Sequence, residues 1–173
     1  RAREILALAN EGLVEEVTDP DKSAGGTSFG EDTGNKTHLV ARGETTDRAK
    51  LDEFLRHGGS MEDIKLRLPR LSLLPFDPAR KYIASLHKGA DGAYPRLVTG
   101  APEALIALST DFERKAGVIV PLSEERRVSL KSEYESLAAK GYRLLAMAVR
   151  VYRELPNTDA ADLEAPGSAD TLV

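Results

Sequence analysis

The sequence predicts an α/β fold of the α+β type, an antiparallel twisted sheet flanked by helices. Strand-like and helix-like segments alternate irregularly along the chain, which favours that class over a regular βαβ repeat. Two strand-like runs, Tyr82 to His87 and Arg96 to Thr99, are joined by Lys88-Gly89-Ala90-Asp91-Gly92, a composition suited to a hairpin turn. The length of 173 residues allows one domain with a buried core and is short for two.

From the N-terminus, Ile5, Leu6, Leu8, Ala9 and Leu13 recur at helical spacing and predict a helix from Arg3 to Glu16. Residues 17–35 are rich in Gly, Ser, Thr and Asp, including Gly25-Gly26, and are expected to form a mobile loop. Thr37 to Ala41 reads as a short strand. Thr45 or Thr46 can cap a helix that runs to about His57, with Leu51, Phe54 and Leu55 buried and Gly58-Gly59 ending it. Leu71 to Leu74 adds a strand ahead of the hairpin. Pro102 suits a first helical position, and Glu103 complements the dipole of a short helix reaching Leu108. Ser123 caps a longer helix with Glu124 and Glu125 in its first turn, an apolar stripe of Leu130, Tyr134, Leu137 and Ala138, and Gly141 at its end. Arg143 to Tyr152 reads as a long buried strand. Residues 1–155 are thus expected to be a single domain, and residues 156–173, rich in Asp, Ala and Pro, a linker-like tail.

Composition narrows the function classes. Apolar residues make up 41% and charged residues 30%, ordinary for a globular protein. A net charge of -4 disfavours a nucleic-acid or anionic-membrane surface, so an anionic ligand would need a local cluster of cations. With no cysteine there is no disulfide and no thiolate metal site. The longest apolar run, Leu144 to Val149, falls far short of the roughly 20 residues that span a bilayer. The chain opens on Arg1, not Met, and both ends are expected to be cuts within a longer protein.

Two motifs carry the chemistry. In Leu74-Pro75-Phe76-Asp77-Pro78-Ala79-Arg80-Lys81 an aromatic ring precedes a cation by one short turn. A purine can stack on Phe76, and the Lys81 ammonium suits a phosphate as a point charge. In Thr99-Gly100-Ala101-Pro102-Glu103 a strand meets a helix; Gly100 permits close backbone approach to a ligand. Taken singly, a core Phe, a solvated Lys and ordinary helix initiation explain these residues; the pairing is what is specific. Arg143, after the helix-ending Gly141, could bridge phosphates through its planar fork or sit at a sheet edge in water. Asp47 could accept from an adenine amino group or simply complement a helix dipole. His38, His57 and His87 show no ligand spacing, so no metal site is expected, and no catalytic constellation is visible.

Three elements together resemble the nucleotide-binding domain of P-type cation-transporting ATPases. They are Pro-Phe-x-x-x-Arg-Lys (Pro75 to Lys81), Gly-Ala-Pro-Glu (Gly100 to Glu103) and the helix end from Ala138 to Ala146, in that order over residues 69–150. The resemblance implies an N-domain-like fold that binds ATP, with Mg²⁺ arriving with the nucleotide. By motif position Phe76 would stack on adenine, Lys81 would face the nucleotide, Arg143 would contact phosphates and Gly100 would line the pocket. Thr99 stands where the family motif has Lys and offers a neutral hydroxyl. Thr46-Asp47-Arg48-Ala49 is similar to the family's Thr-Glu before an Ala-Leu-Leu helix, with Gly34-Asn35-Lys36-Thr37 as a competing alignment.

The phosphorylated aspartate of the family's Asp-Lys-Thr-Gly-Thr is not in this sequence, so the chain would present the γ-phosphate to a partner domain without turning over alone. The resemblance implies phosphorylation and actuator domains of the same pump as partners, and a cytoplasmic location within an integral membrane protein with no direct membrane contact by this segment. The motifs are closer to the branch that moves calcium, sodium, potassium or protons than to the heavy-metal branch. A rival expectation keeps the fold but loses nucleotide affinity, leaving a regulatory or protein-interaction module; Thr99 is its main support. A free-standing hydrolase ranks behind both.

Overall fold

The structure, a computed structural model, describes residues 2–18, 37–114, 117–157 and 170–173. Helix α1 (Ala2–Leu8) leads to strand β1 (Leu13–Thr18), which pairs antiparallel with β2 (Thr37–Arg42) as a separate ribbon. Helices α2 (Thr45–Arg56) and α3 (Met61–Arg67) follow. Strands β3 (Arg70–Asp77), β4 (Tyr82–His87) and β5 (Tyr94–Gly100) run as a meander. Then come α4 (Pro102–Leu108), β6 (Ser109–Glu113), β7 (Ile119–Pro121), α5 (Glu124–Ala139), β8 (Ala146–Tyr152) and β9 (Asp170–Leu172). The main sheet has the order β3-β4-β5-β8-β9-β6-β7, antiparallel throughout except for the parallel pair β6 and β9. This is the antiparallel sheet with flanking helices that the sequence predicts.

Strand alternation sorts the core into two layers. Leu97 and Val149 point to the face where Ile5, Leu8, Phe54 and Ile64 of α1, α2 and α3 pack. Their chain neighbours Val98 and Ala148 point to the opposite face, where Leu74, Tyr82, Leu86 and Leu105 of α4 pack. Strand β4 is buried along its whole length because both its faces are covered. Helix α5 lies outside these layers and has no buried residue; Leu137 of its expected apolar stripe is exposed. It is held to α4 by Arg127, whose guanidinium donates to the carbonyls of Ile106 and Ser109 at the C-terminal end of that helix.

The structure departs from the sequence reading at identifiable places. The first helix stops at Leu8, not Glu16, because the Asn10 side chain donates to the carbonyls of Leu6 (2.8 Å) and Ala7 (2.6 Å). Its oxygen also accepts from Gly12 N–H (3.0 Å), turning the chain into β1. Val17 and Thr18 close that strand, and the rest of the expected 17–35 loop lies outside the described residues. Helix α3, β6 and β7 had no periodicity long enough to announce them; α3 is started by Ser60, whose hydroxyl accepts from Asp63 N–H. In the expected tail, Asp170–Leu172 forms a strand between β8 and β6. The cause is electrostatic as well as geometric. Arg96 is buried in β5, and the Asp170 carboxylate meets it at 2.8 Å, with both side chains under 10% exposed (3% and 7%).

His87 is fully buried at the end of β4. Its Nδ1 faces the Leu68 carbonyl (2.9 Å), so Nδ1 carries the proton and donates; Nε2 then accepts from the Ser85 hydroxyl (2.8 Å). Burial pushes the imidazole down to about 4, with the nearby Arg70 charge acting in the same direction.

Two predictions follow from these buried groups. In the unfolded chain His87 binds a proton near its ordinary value, whereas the folded chain resists protonation until about pH 4. Folding stability is therefore full above the ordinary histidine pKa and falls as pH drops through the window toward 4, by about 3 kcal/mol in all. Denaturant melts across this window should show the slope, and His87→Asn should flatten it; an unchanged slope in the variant contradicts the assignment. Asp170→Ala removes the carboxylate that meets the buried Arg96 guanidinium and should cost about 3 kcal/mol or more, while replacing both residues by apolar side chains should cost far less. A loss below about 0.5 kcal/mol in Asp170→Ala would show that β9 contributes nothing to the sheet.

Candidate functional site

The site forms where the start of α2 meets the ends of β3, β4 and β5. Gly12 and Gly43 bring the α1–β1 and β2–α2 connections together. A Cβ on Gly43 would sit 3.0 Å from the Gly12 backbone, and Gly43 has φ +127°, a conformation that suits glycine. This close approach sets Glu44 at the head of α2 and Glu11 beside it. The Glu11 N–H donates to the Asp47 carboxylate (3.3 Å).

A cavity of about 440 Å³ opens at this junction. Its walls include Asp47 and Lys50 of α2, Phe76 of β3, Ile83 of β4, Thr99 of β5 and Arg143. Glu11, Glu44, Thr45 and Thr46 complete the rim. Ile83 and Thr99 are cross-strand partners, so the pairing of β4 with β5 fixes two adjacent wall residues. Phe76 lies in the irregular stretch of β3 where register shifts between Leu74 and Asp77, and it is 54% exposed. A large aromatic left half in solvent at a cavity is unlike the packed core residues around it. Thr99 is the reverse: it is 2% exposed, and its hydroxyl has no hydrogen-bond partner among the described residues.

Of the residues singled out by sequence, the cavity brings together Phe76, Asp47, Thr99 and Arg143. Arg143 does so from the loop between α5 and β8, because β8 starts only at Ala146 and not at Arg143 as expected. Gly100 and Lys81 are not among the lining residues. Gly100 has a structural explanation: a Cβ there would lie 2.4 Å from the Lys81 carbonyl oxygen and 2.5 Å from the Tyr82 Cβ. It is glycine because β4 passes too close for any side chain. Lys81 has left-handed backbone (φ 64°), and its ammonium is paired with Glu103 at 3.0 Å. That pairing is the main reason the Glu103 carboxyl is held below its ordinary range. Glu103 lines a different cleft, between α4 and α5.

The turn from Phe76 to Lys81 is built by Asp77. Its carboxylate accepts from the N–H groups of Ala79 (2.7 Å) and Arg80 (3.2 Å), and these bonds pull its pKa down. The Arg80 guanidinium donates back to the Pro75 carbonyl (3.0 Å). The bend that displays Phe76 is thus fixed from both sides.

Lys50 is the charged residue of the α2 wall that the sequence reading missed. It is 4% exposed, its ammonium donates to the Ala9 carbonyl (2.8 Å), and it pairs with Asp47 at 2.6 Å. Burial lowers its pKa, opposed chiefly by the hydrogen bond and charge of Asp47. A signal was present: Asp47, Lys50, Leu51 and Phe54 share one face of α2 by their spacing, so a lysine stands on the buried face. Lys50 and Arg143 are the cations of a wall that also carries Glu11, Glu44 and Asp47. Among the described residues no cluster of three or more His, Asp or Glu could hold a metal, and no helix is long and apolar enough to cross a membrane.

Comparison with known proteins gives this site its setting. A family model described as P-type ATPase, cytoplasmic domain N, matches residues 24–171. The chain is 28% identical over 148 residues to a protein of Arabidopsis thaliana named calcium-transporting ATPase 11, plasma membrane-type, covering 86% of this chain and 14% of that protein. It is 26% identical over 148 residues to calcium-transporting ATPase 4, plasma membrane-type, of the same plant, with the same two coverages of 86% and 14%. It is 30% identical over 89 residues to a sodium/potassium-transporting ATPase subunit alpha of Tetronarce californica, covering 50% of this chain and 9% of that subunit. The chain thus spans only 9% to 14% of the length of these relatives. With the family model covering residues 24–171, the chain belongs to the cytoplasmic N-domain family of the P-type ATPases.

Proposed function

We propose that the chain binds ATP in the cavity between α2 and the main sheet and holds it for phosphoryl transfer to another domain. The observation that carries this reading is the half-exposed Phe76 ring at a cavity that also holds a buried Thr99 hydroxyl with no hydrogen-bond partner among the described residues, a buried Lys50 and an exposed Arg143. A flat apolar face with a few convergent polar groups is what a nucleoside needs.

In this reading adenine stacks on Phe76 and its amino group donates to Asp47. The Arg143 fork meets phosphate oxygens. Lys81 pairs with Glu103 in the free chain and exchanges that partner for a phosphate. The exchange costs little: both side chains are about half exposed (53% and 45%), and such a pair contributes about 0–1 kcal/mol. Mg²⁺ comes with the nucleotide, as the described residues offer no carboxylate cluster to hold it.

The parent protein would be an ATP-driven cation pump of a membrane, a reading supported by the calcium-transporting and sodium/potassium-transporting names of the relatives. Hinged docking onto its phosphorylation domain, coordinated with the actuator domain, would deliver the γ-phosphate to an aspartate that this chain lacks. The chain on its own therefore binds ATP without turnover. Thr99 in place of the motif lysine is the one feature that speaks for a regulatory module without nucleotide affinity, and the half-exposed Phe76 at the same cavity weighs against it.

Calorimetric titration with ATP tests the arrangement. Phe76→Ala should weaken binding about tenfold or more, since base stacking on an aromatic contributes about 1–3 kcal/mol. Thr99→Ala should change it by less than about fivefold, because a neutral hydroxyl contributes about 1 kcal/mol at most once its desolvation is counted. The opposite order contradicts stacking as the main contribution. Glu103→Gln releases Lys81 and should leave ATP affinity equal or tighter by up to about threefold, in keeping with the small value of an exposed ion pair. Weaker binding in that variant would contradict a phosphate role for Lys81.

A further inference from the structure

Lys50 has no counterpart in the proposed roles so far, yet it is the most deeply buried cation of the cavity wall. A buried lysine is costly unless it is paired, and a purely structural one is readily replaced by an apolar residue. Here Lys50 is held from two sides, by the Ala9 carbonyl and by Asp47. An ammonium has three donors, and among the described residues these two bonds occupy two of them. Asp47 in turn receives the Glu11 N–H on its second oxygen. The result is a fixed acceptor and a fixed donor 2.6 Å apart, side by side on one helix face and both lining the same cavity.

That pattern has a specific complement. An adenine edge presents an amino donor next to a ring-nitrogen acceptor. A carboxylate alone can bind only the amino group; a carboxylate with a neighbouring ammonium can bind both atoms. Resting on the ATP-binding reading above, we propose that Asp47 and Lys50 form a base-reading pair, in which Asp47 accepts from the adenine amino group and Lys50 donates to the ring nitrogen beside it. Lys50 is then a specificity-determining binding residue and not a support for α2 alone. Thr99, buried on the same wall with its hydroxyl unpartnered among the described residues, offers a further polar contact to the same base.

The test compares ATP with 7-deaza-ATP and 1-deaza-ATP, each of which replaces one ring nitrogen beside the amino group by carbon. Titration of the 173-residue chain should show one of the two analogues binding about tenfold more weakly than ATP, the usual penalty for losing a charge-assisted hydrogen bond. In Lys50→Met that analogue and ATP should bind alike, both about as weakly as the analogue binds to the unsubstituted chain. The comparison of ligands on the unsubstituted chain stands even if Lys50→Met folds poorly. The proposal is overturned if both analogues bind as tightly as ATP, or if Lys50→Met keeps the discrimination. Saturable ATP binding that depends on Phe76, together with either of those results, overturns the role of Lys50 and leaves the site intact. If ATP does not bind, or binds without regard to Phe76, the site itself is wrong and the base-reading pair falls with it.

Discussion

The pairing of β4 with β5 is the constraint on which the rest depends. Tyr82 stands opposite Gly100, and Ile83 opposite Thr99. The Gly100 backbone lies so close to Lys81 and Tyr82 that no side chain fits, which locks that register. From this one alignment follow the adjacent cavity walls at Ile83 and Thr99 and the start of α4 at Pro102. The carbonyl of the left-handed Lys81 then accepts from Ala101 N–H (2.9 Å). A one-residue slip would reverse the faces of Thr99 and Val98 and put a buried hydroxyl into the apolar layer under α4.

Buried polar groups make the remaining decisions about how elements meet. Lys50 ties α2 to the end of α1 through the Ala9 carbonyl, and Arg96 draws β9 into the sheet through Asp170. His87 joins the α3–β3 connection to β4 through the Leu68 carbonyl. Each is met by a partner distant in sequence, so each specifies a contact that apolar packing alone would leave interchangeable. Only Lys50 among the three also opens onto the cavity of α2 and the sheet.

Much of this was legible in the sequence where local chemistry was strong. The Tyr82–His87 strand, the helix opened by Pro102, the helix capped by Ser123 and the antiparallel class were read from turn residues, caps and alternation. The three-residue strands β7 and β9 were not, because no period can be read from so few residues and β9 depends on a buried arginine 74 positions away. In the site, Phe76, Asp47, Thr99 and Arg143 line one cavity, although their motifs lie far apart in the sequence. Gly100 and Lys81 are shaped by contacts that no motif announces: β4 passes too close to the first for a side chain, and Glu103 pairs with the second. Lys50 was hidden because a lysine in a helix is usually solvated, and only the position of Leu51 and Phe54 beside it marks its face as buried.

The central claim is that the Phe76 cavity is a purine-nucleotide site. It is tested most directly by titrating the isotopically labelled chain with a non-hydrolysable ATP analogue and following its amide and side-chain resonances. The account predicts saturable shifts concentrated on Asp47, Lys50, Phe76, Lys81, Thr99 and Arg143. No saturable change at millimolar ligand, or shifts gathered instead along the α4–α5 cleft, would contradict it.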